Sequence, residues 1–386
     1  MDRHVADSIL AMRREFHRTP ESAFAEHITS ARIERVLTDL GLEVLRLAGT
    51  GTVGLLRGGA PGPTVAIRAD MDALPIQEQT GLEWSSSTPG MMHACGHDAH
   101  MAMALGAAMM LAPIAGELAG NVKFIFQPAE EWPGGAEPMI REGVMDNPSV
   151  DMVFAMHVSP DFPAGTIAAS PGYATSAQDR FTLTLTGRGG HAALPHKSID
   201  ALAAACEFIM GLQQIVSRNL DPLEPAIIHI GTLHAGEAFN IVAGSAEIQA
   251  SVRTLSDSAR ARTENLIRKR IEALCVATGV EAELDYRHSY PSVINAAPAL
   301  DVASRAAAAT IGDNAITWLS GPSMIGEDFA YFTRRAPGAL IWIGARPECG
   351  ESYPLHHPKF VVPDTTLITG TMIWKEIVVE ALRSLA

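Results

Sequence analysis

The stretch TVAIRADMDALP, Thr64 to Pro75, starts as an apolar β-type run and then turns to acid. Thr64–Arg68 has the composition of a buried strand, and Asp70 and Asp72 come directly after it. Two further stretches repeat the pattern. NVKFIFQPAEE (Asn121–Glu131) passes through Val122–Phe126 into Pro128 and two glutamates, and DMVFAMHVSP (Asp151–Pro160) passes through Met152–Met156 into His157. If these strands run parallel in one sheet, their carboxyl ends share a rim. Open α/β sheets place their ligand crevice along such a rim. Helical patterns alternate with the runs, so an α/β layer architecture is expected.

Working outward, MMHACGHDAH (Met91–His100) packs three histidines, a cysteine and an aspartate into ten positions. A metal site, a cysteine nucleophile with a histidine base, and an inert polar turn all fit those residues. The segment leads into Ala99–Leu111, which is apolar on every side and so predicts a buried helix. Asp98 stands where a helix N-cap would.

From Asp179 the pattern changes. Strand Arg180–Thr186, helix Ser198–Ser217 and strand Ala226–His234 are followed by strand Ala246–Thr254, helix Ser256–Thr278 and strand Glu281–His288. The order βαββαβ is that of a ferredoxin-like sandwich. Residues 179–289 are therefore expected as an inserted domain, with 1–178 and 290–386 forming one discontinuous larger domain. Beyond Pro291 come a helix near Pro298–Ile311, an apolar run Ala339–Gly344 and a closing helix Thr365–Leu385.

A chain of 386 residues exceeds one ordinary domain, and 47% apolar residues supply ample core. The net charge of −14 disfavours a general nucleic-acid binder. It leaves the substrate open, since a cationic pocket can sit in an acidic protein. The opening residues mix charges into an amphipathic pattern unlike a secretory signal. The low-charge stretch His100–Gly116 is short for a bilayer and contains Pro113. The expectation is a cytoplasmic protein without a membrane partner. Four cysteines are too few for a disulfide scaffold. Cys206 and Cys275, in Ala/Leu-rich helical patterns, read as buried small residues.

Cys95 and His97 offer a thiolate and an imidazole two residues apart. Glu131 and His157, at predicted strand ends, could reach the same point, and YPLHHPKF adds His356 and His357. Mixed sulfur, nitrogen and oxygen donors suit zinc or a similar divalent ion. Five donors exceed one closed tetrahedral site and match what two neighbouring ions require.

The ordered set RADMDALP, MHACGHDAH, QPAEE, GGAEPMIREGV, AMH, GRGGHAALPH, SVRT, GEDF and LHHP resembles the metal-dependent aminoacylase/carboxypeptidase family of peptidases. The likeness is to its amidohydrolase branch, which includes hippurate and indole-3-acetyl-amino-acid hydrolases, and spans nearly the whole chain. It implies a mixed-sheet α/β catalytic domain interrupted by a lid or dimerisation domain. It implies two divalent metal ions, zinc first with manganese, cobalt or nickel as alternatives, held by Cys95, His97, Glu131, His157 and His356. Glu130 matches the general base. His191 matches a lid residue that reaches the scissile carbonyl, and Asn240 and Arg253 match lid positions that hold substrate. Asp70 and Asp72 match acids that orient ligating imidazoles. His357 falls outside the ligand position. Two departures stand out: no proline follows the Asn240–Ile241 motif, and Ile325 replaces a small residue near the expected pocket wall.

The implied substrate is a small N-acyl-amino acid, and a homodimer or larger assembly is expected through the lid. The nearest enzymatic rivals are a dipeptidase or carboxypeptidase and a deacetylase of an amino-acid precursor. A thiol hydrolase using Cys95 with His97 or His100 would leave Glu130, Glu131, His157 and His356 unexplained. A binding protein without catalysis would have no need of Glu130.

Overall fold

The computed structural model of the protein describes residues 1–313 and 315–386. They divide into two compact units, Met1–Ala174 with Val293–Pro322 and Asp328–Ala386, and Thr175–Ser292 with Ser323–Glu327.

The first unit is built on an eight-stranded mixed sheet. Its first strands in chain order are β1 (Glu43–Leu47), β2 (Gly51–Arg57), β3 (Ala60–Asp70), β4 (Ala119–Gln127) and β5 (Met152–Pro163). In space the order is β1, β2, β4, β3, β5, then Gly338–Arg346, Ile167–Ala169 and Ile316–Trp318. β3 runs parallel to both β4 and β5, so the three motif strands deliver their carboxyl ends to one rim. Asp70 pairs with Gln127, and Arg68 pairs with Ala155. The central strands are buried, which is why they read as continuous apolar runs rather than alternating ones.

Strand limits differ from the sequence reading in one consequential place. β5 continues to Pro163, so His157 lies inside the strand, paired with Trp342, instead of following its end. An apolar run stops at the first polar side chain, but backbone pairing is indifferent to a histidine that faces a site. The hairpin β1–β2 adds antiparallel strands at one edge. β1 shows no alternation to read, because only Leu47 of its five residues is buried.

Helices α1 (Arg3–Arg18), α2 (His27–Asp39) and α3 (His97–Leu111) join the helices Ala297–Ile311 and Asp364–Leu385 around a core with the sheet. α3 is buried almost throughout. A Cβ on its Gly106 would lie 2.5 Å from Ile9 of α1 and 2.8 Å from Thr371 of the closing helix. A Cβ on Gly370 would collide with Met103 of α3. At both crossings a neighbouring helix's side chain occupies the space a Cβ would need, which glycine leaves free. His97–Glu117 is long and apolar enough to cross a membrane by length and composition, but α3 spends that apolar surface on core packing.

In the second unit, a four-stranded antiparallel sheet has the order Ile227–Ala235, Ser245–Thr254, Ala177–Thr186, Glu281–His288. Strand Ala177–Thr186 alternates strictly, and Phe181, Leu183 and Leu185 pack with residues of the helices Ala201–Gln214 and Asp257–Thr278. Each helix starts at a side-chain cap: Asp200 accepts from the amides of Leu202 and Ala203, and Ser256 accepts from that of Ala259. Cys206 is exposed on the first of these helices and Cys275 half-buried on the second, contrary to the buried positions expected. Composition marks a helix as apolar without saying which face turns outward.

Candidate metal centre

The rim of the first unit gathers side chains from four separate stretches. Asp70 ends β3, Glu130 and Glu131 follow β4, His157 lies in β5, and Cys95 and His97 flank Gly96 at the start of α3. Gly96 has a φ of 86° and a Cβ there would meet Val158, so the sharp entry into α3 requires glycine. Cys95, His97 and Glu131 each present a donor atom within 4.8 Å of the others. His157 Nε2 lies 3.5 Å from Cys95 Sγ. His356 Nε2 lies 3.0 Å from Glu131 Oε1. The amide of His356, at a left-handed φ of 65°, donates to the Ala94 carbonyl at 2.9 Å, tying the C-terminal loop to the cysteine segment. The five expected donors therefore occupy one place.

Hydrogen bonds leave the correct ring nitrogens bare. His97 Nδ1 donates to the Asp72 carbonyl at 2.8 Å, and His97 Nε2 is buried with no hydrogen bond. His157 Nδ1 donates to the Val158 carbonyl at 2.8 Å, turning Nε2 towards Cys95. Glu131 Oε1 is buried too, and its near neighbour is the His356 ring, itself one of the expected donors. Backbone carbonyls that fix an imidazole tautomer are a recurrent support of metal-ligating histidines.

The electrostatics ask for a cation. Burial and the carboxylates of Glu131, Glu130 and Asp70 push the Cys95 thiol well up from its ordinary value. A cysteine nucleophile needs the opposite shift. Burial would lower His97, but Asp70 and Asp72 outweigh it and raise it to about 10, so the pocket favours positive charge at this ring. Burial and the neighbouring His100 hold His157 well below its ordinary value, in the neutral form a ligand requires. Burial would raise Glu131, yet the His356 and His97 rings bring it down. Bare buried donors ringed by excess negative charge fit divalent ions, and the sulfur-containing set leans to a borderline-soft one.

Asp70 and Asp72 act differently from each other. Asp70 accepts from His100 Nδ1 at 2.6 Å and from Arg68 at 2.8 Å, with His97 Nε2 3.8 Å away. Asp72 reaches His97 through its backbone oxygen, while its carboxylate accepts the amides of Glu130 and Glu131 at 2.9 and 3.0 Å. It thus also sets the acidic turn.

His100 was not singled out by sequence as a support. Its Nδ1 serves Asp70 and its Nε2 accepts the Val158 amide at 3.0 Å, so both nitrogens are committed and neither is free to act as a base. Beneath the rim, Arg68 also donates to Gln127 and Asp328. Only an arginine inside a buried strand hinted at that network. Asp98 makes no cap; the N-cap residue is Gly96. Asp98 binds Arg13 at 2.7 Å and His17 at 2.8 Å, both from α1, because a fully buried carboxylate gains more from charged partners than from an amide. His357 stacks on Tyr353 and accepts from the Lys359 amide.

The expected lid residues all lie in the second unit. His191 pairs with Ile241 in a two-residue ladder, and the Asn240 carbonyl accepts the Ala192 amide, so these two residues are neighbours. His191 Nδ1 accepts from the Ala193 amide at 3.0 Å, which puts the ring proton on Nε2. Arg253 stands on the four-stranded sheet and donates to Gln178 at 2.9 Å. Ile325 is exposed.

The sequence profile of Peptidase family M20/M25/M40 matches residues 66–380. The chain is 38% identical to an N-acetylcysteine deacetylase of Bacillus subtilis, covering 98% of this chain and 97% of the relative. It is 37% identical to thermostable carboxypeptidase 1 of Saccharolobus solfataricus, covering 96% and 94%. Among solved structures, a dinuclear metal binding peptidase of the M20 family from Bacillus subtilis superposes with a TM-score of 0.86 at 35% identity, over 99% of both chains.

Proposed function

The chain belongs to Peptidase family M20/M25/M40, and from that premise we propose that it is a metal-dependent amidohydrolase that splits N-acyl-amino acids into a carboxylic acid and a free amino acid. The observation that carries the reading is the cluster of Cys95, His97 and Glu131, with donor atoms within 4.8 Å of one another and His97 Nε2 buried without a hydrogen bond. Cys95, His97, Glu131, His157 and His356 would hold two divalent ions, a number supported by the likeness to a dinuclear metal binding peptidase. When bound, such ions polarise the amide carbonyl and make water acidic enough to ionise near neutral pH.

The remaining work falls to the chain's own side chains. Glu130 takes the proton from water on its carboxylate and returns it to the leaving amine nitrogen. His191, with its proton on Nε2, donates to the carbonyl oxygen as negative charge develops there. Arg253 grips the carboxylate of the amino-acid half through two parallel hydrogen bonds, and Asn240 holds the substrate carbonyl. Asp70 and Asp72 keep the ligating imidazoles and the acidic turn in place.

A relative named for an N-acetylated substrate supports acetyl as the first acyl group to test, and hippurate-like aryl-acyl groups come next. Ile325 is the residue expected to limit acyl size. The relative named as a carboxypeptidase supports the second reading, hydrolysis of a peptide's C-terminal residue, which requires the same carboxylate grip. The second unit serves as lid and dimer contact. Exposed Leu202 and Met210 on helix Ala201–Gln214 and Ile227 on an edge strand supply apolar surface for a homodimer. A cytoplasmic setting suits four free cysteines.

The deciding experiment is hydrolysis of acetyl-, benzoyl- and indolylacetyl-amino acids and of dipeptides, before and after chelation and after return of zinc or manganese. Full activity in the chelated protein would refute the metal mechanism. Cleavage of dipeptides alone would favour the second reading.

A further inference from the structure

Three consecutive amides at the acidic turn are held by two buried carboxylates from distant parts of the chain. Asp72 takes the amides of Glu130 and Glu131, and Glu26 Oε1 takes that of Ala129 at 3.0 Å. Glu26 precedes α2, is fully buried, and lies 103 residues from Ala129 in sequence. Its other oxygen accepts the Thr50 hydroxyl at 2.6 Å. Ala129 has a φ of 57°, in the left-handed region that a residue with a Cβ avoids unless its surroundings impose it. The Ala129 carbonyl closes the same turn by accepting the Gly134 amide at 2.9 Å.

This arrangement exceeds what core stability requires. A carboxyl group removed from water is a costly way to satisfy one amide and one hydroxyl, and the strained residue it grips immediately precedes Glu130. Relaxation of Ala129 towards a right-handed or extended backbone would swing the chain that follows and re-aim Glu130 relative to Cys95 and His97.

We propose that Glu26 is a positioning residue for hydrolysis: its grip on the Ala129 amide maintains the left-handed turn that sets the orientation of Glu130. The role rests on the proposed function, since Glu130 matters only if it handles the proton. Asp72 still holds the amides of Glu130 and Glu131 when Glu26 is lost, so the turn stays in place as a whole and metal binding is spared. The effect falls on turnover, through the aim that the Ala129 backbone gives Glu130.

The test uses metal-loaded full-length enzyme and compares wild type with Glu26→Ala, Glu26→Gln and Thr50→Val. Metal content, kcat and KM on an N-acetyl-amino acid, and deuterium uptake of a peptide spanning residues 128–135 are measured for each. Glu26→Ala should lower kcat by about 10- to 100-fold, the loss that small misplacements of catalytic groups produce. KM should stay within about twofold, metal content should be unchanged, and the peptide should exchange faster. Glu26→Gln keeps an acceptor for the Ala129 amide and should recover most of the lost kcat. Thr50→Val removes the other bond to the same carboxyl and should lower Tm while leaving kcat intact. The proposal is overturned if Glu26→Ala keeps wild-type kcat and exchange. It is equally overturned if Thr50→Val loses as much kcat as Glu26→Ala, because damage to the core would then explain both. If the wild type hydrolyses no N-acyl-amino acid, the functional reading fails, and the exchange arm still decides whether Glu26 holds the turn.

Discussion

The rim of the first unit and the exposed ladder of the second carry their candidate functional groups in opposite ways. At the rim, Cys95, His97 and His157 are buried and their orientations are set by carbonyls and carboxylates beneath them. On the ladder, His191 and Asn240 are exposed and Phe239 beside them is fully so, with backbone pairing as their main constraint. Side chains that must place charge to within a fraction of an ångström are embedded; side chains that must meet a substrate are left accessible. Substitutions at the rim should therefore act on turnover, metal content or folding. On the second unit, those at Asn240 and Arg253 should act on substrate affinity and those at His191 on turnover.

The largest effect expected is at Glu130. Glu130→Gln should lower kcat by about 10²- to 10⁴-fold with both ions still present by elemental analysis. Appreciable residual turnover would remove Glu130 from its role and much of the contrast with it. Next comes Asp98→Ala, which strands the buried guanidinium of Arg13 and should cost about 3–5 kcal/mol in denaturant unfolding. Arg253→Ala should raise KM about 10- to 100-fold for substrates with a free carboxylate, the worth of a charged hydrogen-bonded grip, and alter kcat far less. An equal loss of kcat would place Arg253 with the rim group in function.

A finer test concerns pH. Glu78, hydrogen-bonded to His17, is held down to about 2, so its contribution to stability is complete above about 4.5 and is lost as pH falls. His17 is raised above its ordinary 6.5 by Asp98 and Glu78 against the pull of burial, so its contribution is complete below 6.5 and fades as pH rises through the folded value. The Tm difference between wild type and His17→Asn should be greatest between about pH 4.5 and 6.5. A difference that stays the same from well below pH 4.5 to well above pH 6.5 would show that the pair carries no charge. The smallest effect belongs to Phe239→Ala. A fully exposed residue should change unfolding free energy by less than about 0.5 kcal/mol, while KM for bulky acyl groups reports any contact it makes.

Legibility in the sequence followed the range of the interactions. Strands β3 to β5 announced themselves as apolar runs because both their faces are covered, and the short motifs at their ends located the rim. The supporting cast stayed hidden. Asp98 resembled a cap because its partners, Arg13 and His17, are more than 80 residues away. Nothing near Glu26 points to Ala129, and nothing in MHACGHDAH distinguishes His100, which braces, from His97, which presents a bare nitrogen. Ladder pairing sets the spacing of strand residues, whereas these links depend on three-dimensional packing.

The glycine crossing of α3 has a consequence for engineering the site. Gly106 lies roughly 13 Å along the helix axis from His97, at 1.5 Å per residue, and has no room for a methyl group. A bulkier residue there would press α3 away from Ile9 of α1 and Thr371 of the closing helix, straining a helix whose first turn carries His97. Libraries that vary Gly106 along with Ile9 and Thr371 would show, read by metal affinity, how far packing at this crossing sets the site without touching any atom that meets the ion.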